Sequence, residues 1–191
     1  MRRAPIVLSV LGMLALLAAP AVARADVSSW LALGPGYTLQ NNRTTSNVDR
    51  ASLLSYSLGV GSTPKSPVVF GGILRGVTNF TMGTDLGFAL RGASGGFARG
   101  DWGFALDAGV VGRWWGGHAY GRYPYRGVLT LGGLWGLQLG LGADFGSVSG
   151  NEPANGYFAV LEIDLLRLTV MRQGSSDAWW PNPSPAGGRD R

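Results

Sequence analysis

Residues 128–145, VLTLGGLWGLQLGLGADF, alternate for eighteen positions. Leu129, Leu131, Trp135, Leu137, Leu139, Leu141 and Phe145 share one parity. Thr130, Gly132, Gly136, Gln138, Gly140, Gly142 and Asp144 share the other. Period two is the mark of a strand whose two faces meet different media. Here one face is almost uniformly large and apolar, Gly133 and Ala143 apart, and the other is mostly glycine with a few polar groups, Val128 and Leu134 apart. A soluble sandwich normally turns a mixed polar face outward. The stretch instead suits a narrow barrel with lipid outside and a polar lumen inside. It is too long for one strand at roughly 3.3 Å per residue across an apolar layer of about 30 Å. It is therefore read as two strands, the first ending near Leu131 and the second starting near Gly136.

Working outward, alternating runs between turn signals give eight strands. The first covers Ser28 to Leu39 and the second Ala51 to Val60, with Gln40 to Asn47 as a polar loop between them. The third, Pro67 to Thr78, alternates poorly. The fourth covers Thr84 to Gly92, a turn follows at Ser94 to Gly100, and the fifth covers Asp101 to Arg113. The eighth starts at Tyr157, changes phase at Leu165-Leu166 as a bulge would, and runs on through Val170-Met171-Arg172. The fold class is all-β: an eight-stranded antiparallel up-and-down transmembrane β-barrel. An even count puts both termini on one side. The long connections near 40–50, 115–124 and 147–156 then share the other, with short turns at the terminal end.

The N-terminus fits export. Met1-Arg2-Arg3, the apolar run Ile6 to Ala19 and Ala23-Arg24-Ala25 have the order of a cleavable signal peptide. Residues 1–25 are read as that signal, 26–172 as the barrel and 173–191 as an unstructured periplasmic tail. Arg2, Arg3 and Arg24 leave with the signal, so a net charge of +5 falls to about +2. Neither that charge nor any basic run interleaved with aromatics points to nucleic acid. There are no cysteines, which excludes thiolate zinc and is compatible with an oxidising compartment.

Two groups of residues carry the functional reading. Arg75, Asp85, Arg91, Asp107, Arg113, Arg126, Asp144, Glu162 and Asp164 all fall on the lumen side. Unpaired charges in so narrow a tube are expensive, so four bases and five acids suggest a salt-bridged plug, in preference to a narrow conducting pore. Trp30, Tyr37, Trp102, Trp114, Trp115, Tyr125, Trp135 and Tyr157 fall near strand ends, as interfacial girdles would. His118 is the only histidine, lies in a Gly-rich loop and has no serine within two residues. No catalytic constellation, metal cluster or cofactor motif is visible, and the chain is read as non-enzymatic.

In strand number, alternation and girdles the chain resembles the small eight-stranded outer-membrane barrels, the OmpA-like transmembrane class. The resemblance is one of pattern. It implies the outer membrane of a Gram-negative bacterium, with outer-membrane lipid and the barrel-assembly machinery as partners. The chain departs from that class at its last strand, which is followed by a tail; Gln138 to Phe145 looks more like a closing strand, one strand too early. Two alternatives stay open. One is an exported, soluble, lipocalin-like barrel binding a small apolar ligand. The other is a narrow pore or lipid-modifying outer-membrane enzyme.

Overall fold

The computed structural model describes residues 27–43, 45–116, 120–132, 136–148 and 154–166. Eight strands close into one barrel: β1 (Ser28–Asn42), β2 (Asn47–Gly61), β3 (Val68–Asn79), β4 (Gly83–Ser94), β5 (Gly103–Trp115), β6 (Tyr125–Gly132), β7 (Leu137–Phe145) and β8 (Gly156–Asp164). Each pairs antiparallel with its sequence neighbour, and β1 closes on β8 through Ala32↔Asp164 to Gln40↔Gly156. The barrel is therefore up-and-down and leaves no edge along its wall. Among the described residues no helix is long and apolar enough to cross a membrane.

The alternation of the sequence becomes the two faces of the wall. One outward row follows the register around the barrel as Leu58, Leu74, Phe88, Val110, Tyr125 and Phe145. The lumen receives the opposite parity, and glycine there makes room for larger neighbours. A Cβ on Gly142 would lie 2.0 Å from Cζ of Phe158, so the ring occupies the space that glycine leaves.

The polar segment Gln40 to Asn47 is not all loop: β1 continues to Asn42 and β2 begins at Asn47, with Gln40 buried inside. Polar residues are compatible with strand there because the inner face itself is polar. The turn expected at Ser94 to Gly100 contains a short helix, α1 (Gly95–Arg99). The Ser94 hydroxyl accepts from the Phe97 amide at its N-terminus, and Gly100 ends it at φ 89°. The connection from β4 to β5 is thus no short turn, although it lies at the same end of the barrel as Ser28 and Asp164. The eighth strand stops at Asp164, whose carboxylate accepts the Leu166 amide at 3.1 Å and turns the chain out of the ladder. The expected continuation to Arg172 beyond residue 166, the signal at 1–25 and the tail at 173–191 lie outside the described residues.

β3 alternates poorly in sequence because both of its faces are partly apolar. Val69, Ile73 and Val77 are buried inside, while Val68, Phe70 and Leu74 face out.

Candidate functional site: the charged lumen

Register places the charges before any side chain is considered. Antiparallel pairing sets Asp85 opposite Arg113 and Arg91 opposite Asp107 on β4 and β5. It sets Arg126 opposite Asp144 on β6 and β7. Cross-strand partners sit about 4.5–5.5 Å apart at Cβ, within reach of an arginine–carboxylate fork. All nine lumen residues read from the sequence are buried inside the barrel.

They form two groups. Toward the loop end, four side chains make a quartet. Arg126 donates to Asp144 at 2.6 and 2.9 Å and to Asp85 at 2.6 Å. Arg113 donates to Asp85 at 3.0 and 3.2 Å and to Asp144 at 2.5 Å. Gln40 adds an amide bond to Asp144 at 3.2 Å. Two bases face two acids, so the quartet is neutral. Charges this buried gain from mutual contact only when each also has good hydrogen-bond geometry.

Deeper in the lumen, Arg91 grips Asp107 through two bonds of 2.6 and 2.7 Å. Arg75 donates to Glu162 at 2.8 Å and lies 3.5 Å from Asp107. The Ser55 hydroxyl donates to the same Glu162 oxygen at 2.6 Å. This group is also two bases against two acids. Asp164, the ninth charge, accepts the Leu166 amide and caps the turn after β8.

Apolar side chains fill the remainder. Leu53, Val77, Val128, Phe158 and Val160 form one cluster. Trp30, Val69, Ala93, Phe97, Ala98 and Ala105 form the other, at the terminal end. There the Arg91 guanidinium lies 5.0 Å from the Trp30 ring centre and 5.6 Å from that of Phe97. Phe97, fully buried, reaches into the barrel from α1. A cavity of about 10 Å³ remains against β3 to β6, lined by Arg75, Asp107 and Arg126 among others. That is room for about one water molecule.

At the loop end the mouth is strapped. The Tyr120 hydroxyl, from the β5–β6 connection, donates to the Asp49 carboxylate on β2. Asn42 on β1 donates to the same carboxylate at 2.8 Å and to the Tyr120 hydroxyl at 3.2 Å. The Tyr120 carbonyl accepts from Arg113 at 2.9 Å, and the Trp115 ring lies 3.8 Å from the same guanidinium. Burial raises the Tyr120 phenol above its ordinary range, and the bond to Asp49 adds to the rise.

The aromatics divide. Tyr37, Trp114, Tyr125 and Tyr157 face outward near strand ends, and Trp102 stands 74 % exposed just before β5. Trp30 does not: it is 1 % exposed and faces the lumen. It shares parity with Ser28 and Ala32, opposite Leu31 and Leu33, so alternation itself turns it inward. Trp115 likewise shares parity with Arg113 and stacks on it from the inner side. Both belong to the lumen, not to an outward girdle. Trp135 and His118 lie outside the described residues.

Gln40, Ser55, Phe97 and Tyr120 are members of the site that the sequence reading missed. Parity with Thr38 would have found Gln40. Ser55 shares the inward parity of β2, but alternation alone does not say that it meets Glu162. Phe97 and Tyr120 carry no such signal, because connections have no period. Among the described residues no group of three His, Cys, Asp or Glu is arranged to hold a metal ion.

The arrangement is a closed barrel whose buried charges are held mainly by one another, with Arg75 Nε, Arg126 Nη1 and Glu162 Oε2 among the buried polar atoms that make no hydrogen bond. No family model, curated protein or solved structure matches this chain.

Proposed function

We propose that the chain is a non-enzymatic barrel of the bacterial outer membrane, with a lumen plugged by its own ion pairs and its long connections offered to the exterior. The observation that carries this is the contrast across the wall. The outward face presents Leu74, Phe88, Leu90, Phe104 and Leu141 to the surroundings, while arginines and carboxylates are sequestered inside. In water this is inverted. Leaving such a side chain in water instead of burying it forfeits about 1.5–3 kcal/mol, a cost repeated over the whole outer surface. In hydrocarbon the outer face is matched, and the ladder that closes β1 on β8 pairs most of the backbone along the wall. Strands of 8 to 15 residues span the range around the roughly 9–11 that a tilted crossing needs.

A structural or surface-exposed role follows from the plug. Eight strands enclose just enough space for side chains, and here the side chains use it. A lipocalin-like carrier would need an apolar chamber, whereas this lumen is charged: about 10 Å³ is open beside Arg75, Asp107 and Arg126, and the larger space of about 310 Å³ at the loop-end mouth is lined by Arg113, Trp115 and Tyr120 among others.

Fractionation of cells expressing the full chain, with gel mobility compared before and after heating, tests the proposal. Outer-membrane recovery and a faster unheated band are expected. Detergent-free recovery in the soluble periplasm would overturn it. Single-channel recording in a planar bilayer then tests the plug, with no sustained conductance expected from the folded protein.

A further inference from the structure

The rim of the loop end is uneven, and one backbone edge is left open by it. β1 and β2 pair along their whole length, up to Asn42↔Asn47. The β2–β3 ladder stops at Leu53↔Asn79, because β3 and β4 are joined by a turn at 80–82. Residues 47–51 of β2 therefore rise beyond β3 with no strand on that side among the described residues. The β1 side of the same overhang is covered, since the Asn41 amide donates to the Asn155 carbonyl at 2.9 Å.

The hydrogen-bond phase identifies the open groups. In an antiparallel ladder each residue points its N–H and C=O to the same side, and successive residues alternate. The Ser52 carbonyl accepts the Phe80 amide at 3.1 Å, so Ser52 points toward β3. Arg50 and Val48 then point the same way, with nothing opposite them among the described residues. The edge offers two amides and two carbonyls, spaced to receive one strand.

Side chains around it favour one kind of strand. Val48 is 56 % exposed, and Phe80 at the floor of the notch is 68 % exposed. Arg43 and Arg50 are exposed and have no ion-pair partner among the described residues. The one acid of the overhang, Asp49, faces the other way and is held by Tyr120 and Asn42. The edge is thus locally cationic with an apolar foot.

We propose that residues 47–51 of β2 form a docking edge for an extended, acidic segment of another protein, which adds a strand beside β2 and sets its carboxylates near Arg43 and Arg50. Strand addition draws affinity from main-chain bonds and selectivity from the alternate side chains. The proposal rests on the register and does not depend on the compartment of the barrel.

The test uses the full chain in detergent micelles and two synthetic probes, Ac-TEVEVT-NH2 and Ac-TKVKVT-NH2. Binding is read by fluorescence anisotropy, and the edge by amide hydrogen exchange at Val48 and Arg50. The acidic peptide should bind about tenfold tighter or better than the basic one and slow exchange at both amides. Val48→Pro removes an amide that β1 does not use, so it should abolish binding while the barrel keeps its heat-modifiable mobility. Arg50→Glu should reverse the preference between the peptides. Equal binding of both peptides, or undiminished binding to Val48→Pro, would overturn the proposal. So would protection of these amides by inorganic phosphate or by a second copy of the chain in place of the peptide.

Discussion

The two ends of the lumen are both closed over arginine, but by different chemistry. At the loop end Arg113 and Arg126 are held by the carboxylates of Asp85 and Asp144. At the terminal end Arg91 keeps one carboxylate, Asp107, and lies against the rings of Trp30 and Phe97. The loop-end quartet is specified by strand register alone, because every member sits on a strand. The terminal closure needs α1 to bring Phe97 in from outside the ladder. One end is thus fixed by the wall, and the other by a connection folded into it.

That contrast can be broken most severely at the quartet. Asp144→Leu leaves two buried arginines sharing the single carboxylate Asp85. Loss of about 3–5 kcal/mol is expected from unfolding in detergent. Replacing Asp144 and Arg126 together, by Leu and Met, should cost much less, since a neutral Asp85–Arg113 pair survives. Equal losses in the single and double variants would show that charge balance is not what holds the loop end.

Phe97→Ala attacks the other end. Removal of a fully buried ring should cost about 3 kcal/mol. Exchange of the amides of α1 should accelerate, while those around Arg126 stay protected. Spread of the disturbance to the loop end would mean that the two closures are one cooperative unit. A smaller effect is expected from Gly142→Ala. Its Cβ would meet Phe158, whose ring lies 4.9 Å beneath the Arg126 guanidinium carbon. A loss of about 1–3 kcal/mol, largely restored by Phe158→Leu in the same chain, would place the strain on that ring.

The least effect belongs to the strap across the mouth. Tyr120→Phe removes a hydroxyl bound to Asp49 and Asn42 in partly exposed surroundings. A change of well under 1 kcal/mol is expected, about one ordinary hydrogen bond or less. The pH dependence is more specific. With the folded phenol raised above its ordinary 10.0, the strap contributes fully below that value. Its contribution is lost as pH rises through the raised value, because the unfolded phenol ionises first. Ultraviolet titration should show a late-ionising component that Tyr120→Phe abolishes.

Particular residues mark how far the sequence could be read. The arginines and carboxylates of the lumen were legible because charge on the inner parity of an otherwise apolar strand has one place to go. Their partners were not, since Asp85 meets Arg113 across β4 and β5 only once the register is known. Trp30 shows a rule in conflict with another: a ring near a strand end suggests an interface, but parity puts it in the lumen, and parity prevails because the pleat is geometric. Phe97 and Tyr120 were silent because turns and loops carry no period to say which way a side chain points.

The sequence by itself determined the strand count, the two faces of the wall and the residue types that line the lumen. Those follow from local alternation, which a pleated chain expresses wherever it pairs. Tertiary structure alone decided which charges meet, how α1 and Tyr120 close the ends, and where β2 rises past its neighbour. Each of these depends on the relative shift of strands distant in sequence, and that shift is set only when the barrel closes.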